Sequence, residues 1–134
     1  MILEKSCGAV VYYEAEEGRL YLLEHMVGGH YAMCKGHVEG NETESETAIR
    51  EIREETGITV TLDTGFRETV TYSPRPGHMK DVIYFVGRAD SMNTVNQPEE
   101  VQGICWLSYG EAMERITFDT DKAILEKAEQ YLAR

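Results

Sequence analysis

The run GHVEGNETESETAIREIREETGI, Gly36 to Ile58, changes character part-way along. Gly36, Gly40 and Asn41 break any regular pattern, so Gly36–Glu42 reads as a glycine-rich loop. Thr43 followed by Glu46 is a capping-box signature, and good helix formers then continue to Thr56. Gly57 is placed to cap the C-terminus of that helix. Ala48, Ile49 and Ile52 form an apolar stripe, with Ser45 and Thr56 on the same side. At 3.6 residues per turn, Glu51, Glu54 and Glu55 span about 100° of the circumference at one edge of this stripe. A helix packed on a sheet borders a cleft at such an edge.

Charge alone permits two readings of the helix. Glu51 opposes Glu54 and Glu55 as like-charge neighbours, which costs roughly 0.2–0.5 kcal/mol per pair in an isolated helix. A hard divalent cation would reverse that sign. Glu46–Arg50 and Arg50–Glu54 are favourable pairs, so a solvated, salt-bridged helix also fits. The spacing separates the two. Gly36-x5-Glu42-x7-Arg50-Glu51-Ile52-x-Glu54-Glu55-x-Gly57-Ile58 is the complete Nudix box. The chain resembles a Nudix hydrolase at every defining position of this box. Lys35-Gly36-His37-Val38-Glu39 looks like the loop of the asymmetric diadenosine tetraphosphate hydrolases within that superfamily. The likeness to that branch runs from Cys7-Gly8 through the final helix and is weaker in the connecting loops. Met33-Cys34 stands where the branch usually carries Pro-Pro.

The wider sequence bounds the alternatives. A length of 134 residues fits one domain, expected over 1–134, and a hydrophobic content of 42% is ordinary for a globular protein. No apolar run spans a bilayer and no signal peptide precedes the first strand, so a cytoplasmic protein without a membrane partner is expected. Cys7, Cys34 and Cys105 share no metal-ligand spacing and read as reduced thiols. The net charge of −11 repels polyanions, so a phosphate-binding site requires metal ions to neutralise it. Duplex nucleic acid is disfavoured as a partner, since no basic patch exists.

The chain in order gives strands at Glu4–Tyr13 and Leu20–Glu24, joined as a hairpin through Glu14–Gly18. His30–Cys34 is a short extended run. Ile58–Leu62 and Phe66–Tyr72 read as separate strands, and Ser73–His78 as an exposed loop. Asp81–Arg88 is an apolar strand of central type, Asp90–Glu100 a polar turn region and Gly103–Leu107 a further strand. Helices follow at Tyr109–Arg115 and Thr120–Tyr131, the latter with Ala123, Leu125 and Ala128 among its apolar residues. This order suggests α/β or α+β layering. The resemblance implies the Nudix fold of the α/β class, an α/β/α sandwich with a mixed sheet between helices.

The resemblance also implies a site. Glu51, Glu54 and Glu55 match the metal-binding carboxylates and the Gly36 carbonyl a backbone ligand, for Mg2+ or Mn2+. Arg50 is expected to orient the glutamates, with Glu39 either its partner or a solvated loop residue. Glu100, in Pro98-Glu99-Glu100-Val101, sits where the branch carries a functional glutamate that also serves the metal, and Glu99 is the alternate base. Lys35, His37 and Lys80 would meet phosphates, Tyr72 a nucleoside, and Tyr31, which stands where the branch has a tryptophan, an adenine. The implied activity is asymmetric hydrolysis of diadenosine tetraphosphate to ATP and AMP by water attack on phosphorus. The partner is thus a small nucleotide, a dinucleoside polyphosphate, met by a monomer or homodimer. Two alternatives stay open: a house-cleaning hydrolase of nucleoside triphosphates, oxidised nucleotides or RNA 5′ ends, and a nucleotide-sensing module without turnover.

Overall fold

A computed structural model of the chain describes residues 1–95, 97 and 99–133. The elements are β1 (Ile2–Ala15), β2 (Gly18–Met26), β3 (Tyr31–Ala32), β4 (Cys34–His37), α1 (Glu44–Thr56), β5 (Val60–Tyr72), β6 (His78–Ala89), β7 (Val101–Leu107), α2 (Tyr109–Arg115) and α3 (Asp119–Leu132). The strands form one mixed sheet of order β3-β2-β1-β6-β5, with β4 also paired to β1 and β7 to β2. The pairing of β1 with β6 is parallel and the other pairings are antiparallel.

β1 and β6 each contain an unbroken buried run, Ser6–Val11 and Val82–Gly87, because both faces of the sheet are covered. Alternate side chains separate into two cores. Cys7, Ala9, Val11, Ile83 and Phe85 pack with Ala48 and Ile52 of α1. Val10, Val82, Tyr84 and Val86 pack on the other face with Ala112 of α2 and Ile124, Leu125 and Ala128 of α3. The result is the expected α/β/α sandwich, with Asp81–Arg88 inside the central strand β6.

α1 forms as its sequence dictates. The Thr43 hydroxyl accepts from Glu46 N at 3.1 Å, and Thr43 N donates to the Glu46 carboxylate at 2.8 Å. Such a cap stabilises a helix by about 1 kcal/mol. Gly57 ends the helix at φ 77°, where a side chain would be strained, and its N–H donates to Arg53 O at 2.8 Å.

Local expectation and structure part in three places. Gly36 and His37 belong to strand β4, opposite Cys7 and Ser6, so the loop begins only at Val38; pairing with the edge of β1 overrides the low strand propensity of glycine. The two strands expected at Ile58–Leu62 and Phe66–Tyr72 are one strand, β5. Asp63 Oδ1 accepts from Gly65 N at 2.9 Å, making a turn that is absorbed as a bulge while pairing with β6 resumes at Glu68. In α3, Ala123 lies on the exposed side and Ile124 fills the core.

The sheet forks where the site lies. β2 pairs with β1 only from Tyr12 to Ala15. Beyond Tyr21 it leaves β1 and takes β3 opposite Glu24 and His25. The vacated edge of β1, Ser6–Ala9, is taken by β4. β3 and β4, joined through Met33, therefore hold the fork apart.

Candidate active site

A cleft of about 740 Å³ opens at this fork. α1 supplies Glu51, Glu54 and Glu55 to its wall, β4 supplies Lys35, Gly36 and His37, and β6 supplies Lys80. Glu99 and Glu100 close it from the segment before β7, while Pro98 lies outside the described residues. The three glutamates of the helix and the residues expected to meet phosphate thus share one cavity.

Gly36 is glycine because of Glu51. A β-carbon on Gly36 would lie 2.0 Å from the Glu51 carboxyl carbon and 2.1 and 2.4 Å from its oxygens. The absence of a side chain lets a carboxylate rest against the strand backbone.

Arg50 binds the constellation into one network. Its Nε and Nη2 donate to Glu42 at 2.6 and 2.9 Å, a two-pronged bond. Nη1 donates to Glu51 at 2.8 Å and to Glu54 at 3.2 Å, and Nη2 also reaches His37 O at 3.0 Å. Glu39, which the sequence left open as partner or solvated loop residue, stands 3.9 Å away and is mostly exposed. Glu42 takes that place because Thr47 Oγ1, at 2.9 Å, and Glu39 N, at 3.0 Å, fix its carboxylate toward the helix. The Arg50 hydrogen bonds hold the Glu42 pKa down to about 2.

Glu55 differs from its neighbours. It is 4% exposed, and its Oε1 has no hydrogen-bond partner among the described residues. Beside it lie Glu24 of β2, 1% exposed with Oε2 also unpartnered, and the buried Cys34 thiol. Burial, then the charge of Glu24, pushes the Glu55 pKa up, and burial pushes Glu24 up as well. A buried carboxylate with an unpartnered oxygen, next to Glu54 and one turn from Glu51 on α1, suits a divalent cation. The donor set therefore fits a hard divalent ion at Glu51, Glu54, Glu55 and the Gly36 backbone.

A side pocket of about 280 Å³ continues from the cleft past His30 and Lys35. Tyr72 and Phe118, both substantially exposed, line it, and Asp121 lies at its wall. Burial raises the pKa of Asp121 and opposes the attraction of Lys35 and His30. Burial and the charge of Lys35 lower the pKa of Lys80. Two lysines that repel one another across a cleft are relieved by an anion between them.

Tyr31 is a correction. His25 stacks on its ring at 4.2 Å and 3°, and the Arg115 guanidinium lies 5.3 Å from the ring centre. It lines neither the cleft nor the side pocket, so the structure does not bring it to either. Glu24, Asp121 and Phe118 escaped the sequence reading. Glu24 carried one signal, a carboxylate in the apolar strand Leu20–Glu24; an Asp in the first turn of a helix is too common to carry any.

The NUDIX domain family model matches residues 5–128. The chain belongs to the NUDIX family. Within it, the chain is 37% identical over 107 residues to the asymmetrical bis(5′-nucleosyl)-tetraphosphatase of Mus musculus, covering 77% of this chain and 72% of that protein. It is 30% identical to the protein of the same description from Caenorhabditis elegans, over 78% of this chain and 77% of that one. The crystal structure of a C. elegans Ap4A hydrolase binary complex superposes with a TM-score of 0.88 at 27% identity, covering 97% of this chain and 98% of that one. The α/β Nudix fold and the relation to asymmetric Ap4A hydrolases follow. Among the described residues, no helix is long and apolar enough to cross a membrane.

Proposed function

We propose that this Nudix protein hydrolyses dinucleoside polyphosphates asymmetrically, with diadenosine tetraphosphate giving ATP and AMP. The observation that carries the reading is the continuity of two cavities. A cleft walled by carboxylates and lysines opens into a side pocket flanked by two exposed aromatic rings. A polyphosphate chain fits the first and a nucleobase the second.

In this reading each residue has a role. Glu51, Glu54, Glu55 and the Gly36 carbonyl hold Mg2+ or Mn2+, with Glu100 completing the set. The bound cation neutralises phosphate charge and lowers the pKa of water. Arg50 fixes Glu51 and Glu54 in orientation through the bonds described above. Glu100 accepts the proton of the attacking water, with Glu99 beside it as the alternate. Lys35, Lys80 and His37 bind the outer phosphates, and Tyr72 stacks on the base. The described rim, with its acidic cleft and net charge of −11, disfavours long RNA as substrate.

Turnover of diadenosine tetraphosphate with magnesium in water enriched in heavy oxygen tests the reading. ATP plus AMP is expected, with one of the two labelled. ADP as sole product overturns the asymmetric assignment. Turnover of nucleoside triphosphates alone points to the house-cleaning activity. Nucleotide binding with no turnover, in the wild-type protein as in a Glu54→Gln variant, points to a sensing module.

A further inference from the structure

We infer that Glu24, Cys34 and Glu55 form an inner cation site behind the cleft, suited to a thiophilic divalent transition ion such as zinc. The three residues come from β2, β4 and α1, and one ligand atom of each lies within 4.8 Å of the other two. All three are buried. Ligand atoms around a tetrahedral zinc are roughly 3.5 Å apart, so side-chain rotations contracting the cluster by about 1 Å would close it. The fork of the sheet creates the juxtaposition. β2 brings Glu24 in opposite Ala32, and β4 brings Cys34 in opposite Ala9.

Two observations beyond the cluster itself point to an ion. Glu24 Oε2 and Glu55 Oε1 are buried and unpartnered. No lysine, arginine or histidine forms an ion pair with either carboxylate among the described residues. On binding an ion at the three groups, a sulfur–metal bond forms, the S–H bond breaks, and the proton passes to solvent. A thiol beside two carboxylates favours zinc or cobalt over magnesium, which prefers oxygen donors only. Glu55 would then serve both positions, one carboxylate oxygen to each.

Cobalt(II) titration of the full chain under anaerobic conditions tests this directly. The wild-type protein is expected to develop a sulfur-to-cobalt charge-transfer band in the near ultraviolet, displaced by zinc. Cys34→Ser should abolish the band, and Glu24→Gln should weaken the cobalt affinity read from it at least tenfold. Cys105→Ser, which alters the partly exposed thiol, should leave it unchanged. Wild-type protein showing no band at saturating cobalt overturns the inference and leaves a proton as the counterion. So does a band that survives in Cys34→Ser. Magnesium-dependent hydrolysis, measured separately, reports on the proposed activity; its absence alongside an intact band would count against that activity and not against the inner site.

Discussion

Replacing Gly36 by alanine probes the site with one methyl group. The new carbon would sit 2.0 Å from the carboxyl carbon of Glu51, whereas carbon atoms in contact stay about 3.5 Å apart. The carboxylate must therefore retreat by about 1.5 Å. That movement also strains or breaks the 2.8 Å bond from Arg50. A misplacement of about 1 Å costs about 100-fold in rate when the displaced group serves the chemistry. Stability should change little. Losing one charged hydrogen bond costs about 1.5 kcal/mol, while alanine in an ordinary backbone conformation recovers about 0.4–1 kcal/mol from the unfolded chain. The expected signature is a fall of about 100-fold in kcat for diadenosine tetraphosphate with a melting temperature within a few degrees of wild type. Steady-state kinetics and thermal melts of the same preparation decide it. Activity within about threefold of wild type would falsify the placement of Glu51 in the chemistry.

Arg50→Lys keeps the charge but loses the fork to Glu42, so kcat should fall about 10- to 100-fold with little change in KM. Tyr72→Ala should raise KM about tenfold, corresponding to about 1.4 kcal/mol of lost stacking. Tyr31→Ala should leave KM within about threefold and lower the melting temperature, since its ring stacks on His25 and lies by Arg115 outside both cavities. Hydrogen bonds from Arg67, with Lys5 assisting, hold the Glu44 pKa down to about 2. That depressed carboxylate stabilises the fold above about pH 4.5 and ceases to do so as the pH falls toward 2. Glu44→Gln should therefore cost about 0.5–1 kcal/mol at pH 7 and almost nothing near pH 2, read from denaturant melts at both pH values.

The parts of this site that the sequence displayed are those set by local rules. The Thr43–Glu46 cap, the Gly57 stop and the edge position of the carboxylates all follow from neighbours within a turn or two. The partner of Arg50 was harder, because Glu39 and Glu42 are both loop carboxylates at plausible distance. Thr47 and the backbone of Glu39 settle the choice, and neither is visible before the loop is folded. Glu24 was out of reach for a different reason. Its meeting with Glu55 and Cys34 depends on where β2 leaves β1, and strand divergence leaves no periodic trace. Tyr31 shows the converse. An aromatic residue beside the loop invites a base, yet β3 sets it against His25 and Arg115, away from both cavities.

The parallel pairing of β1 with β6 bears on how this chain is made. Ile2 faces His78, and Tyr12 faces Arg88, so β1 is synthesised well before its partner β6. At about 5–20 residues per second, the interval between the two strands leaving a ribosome is roughly 4–15 s. During it, β2 and β4 can cover one edge of β1 and α1 one face, but the other edge stays open beside the apolar run Ala9-Val10-Val11. An unpaired apolar edge is a template for intermolecular pairing. The nascent chain is therefore most exposed to aggregation before residue 89 emerges, and slowing translation there should lower its soluble yield.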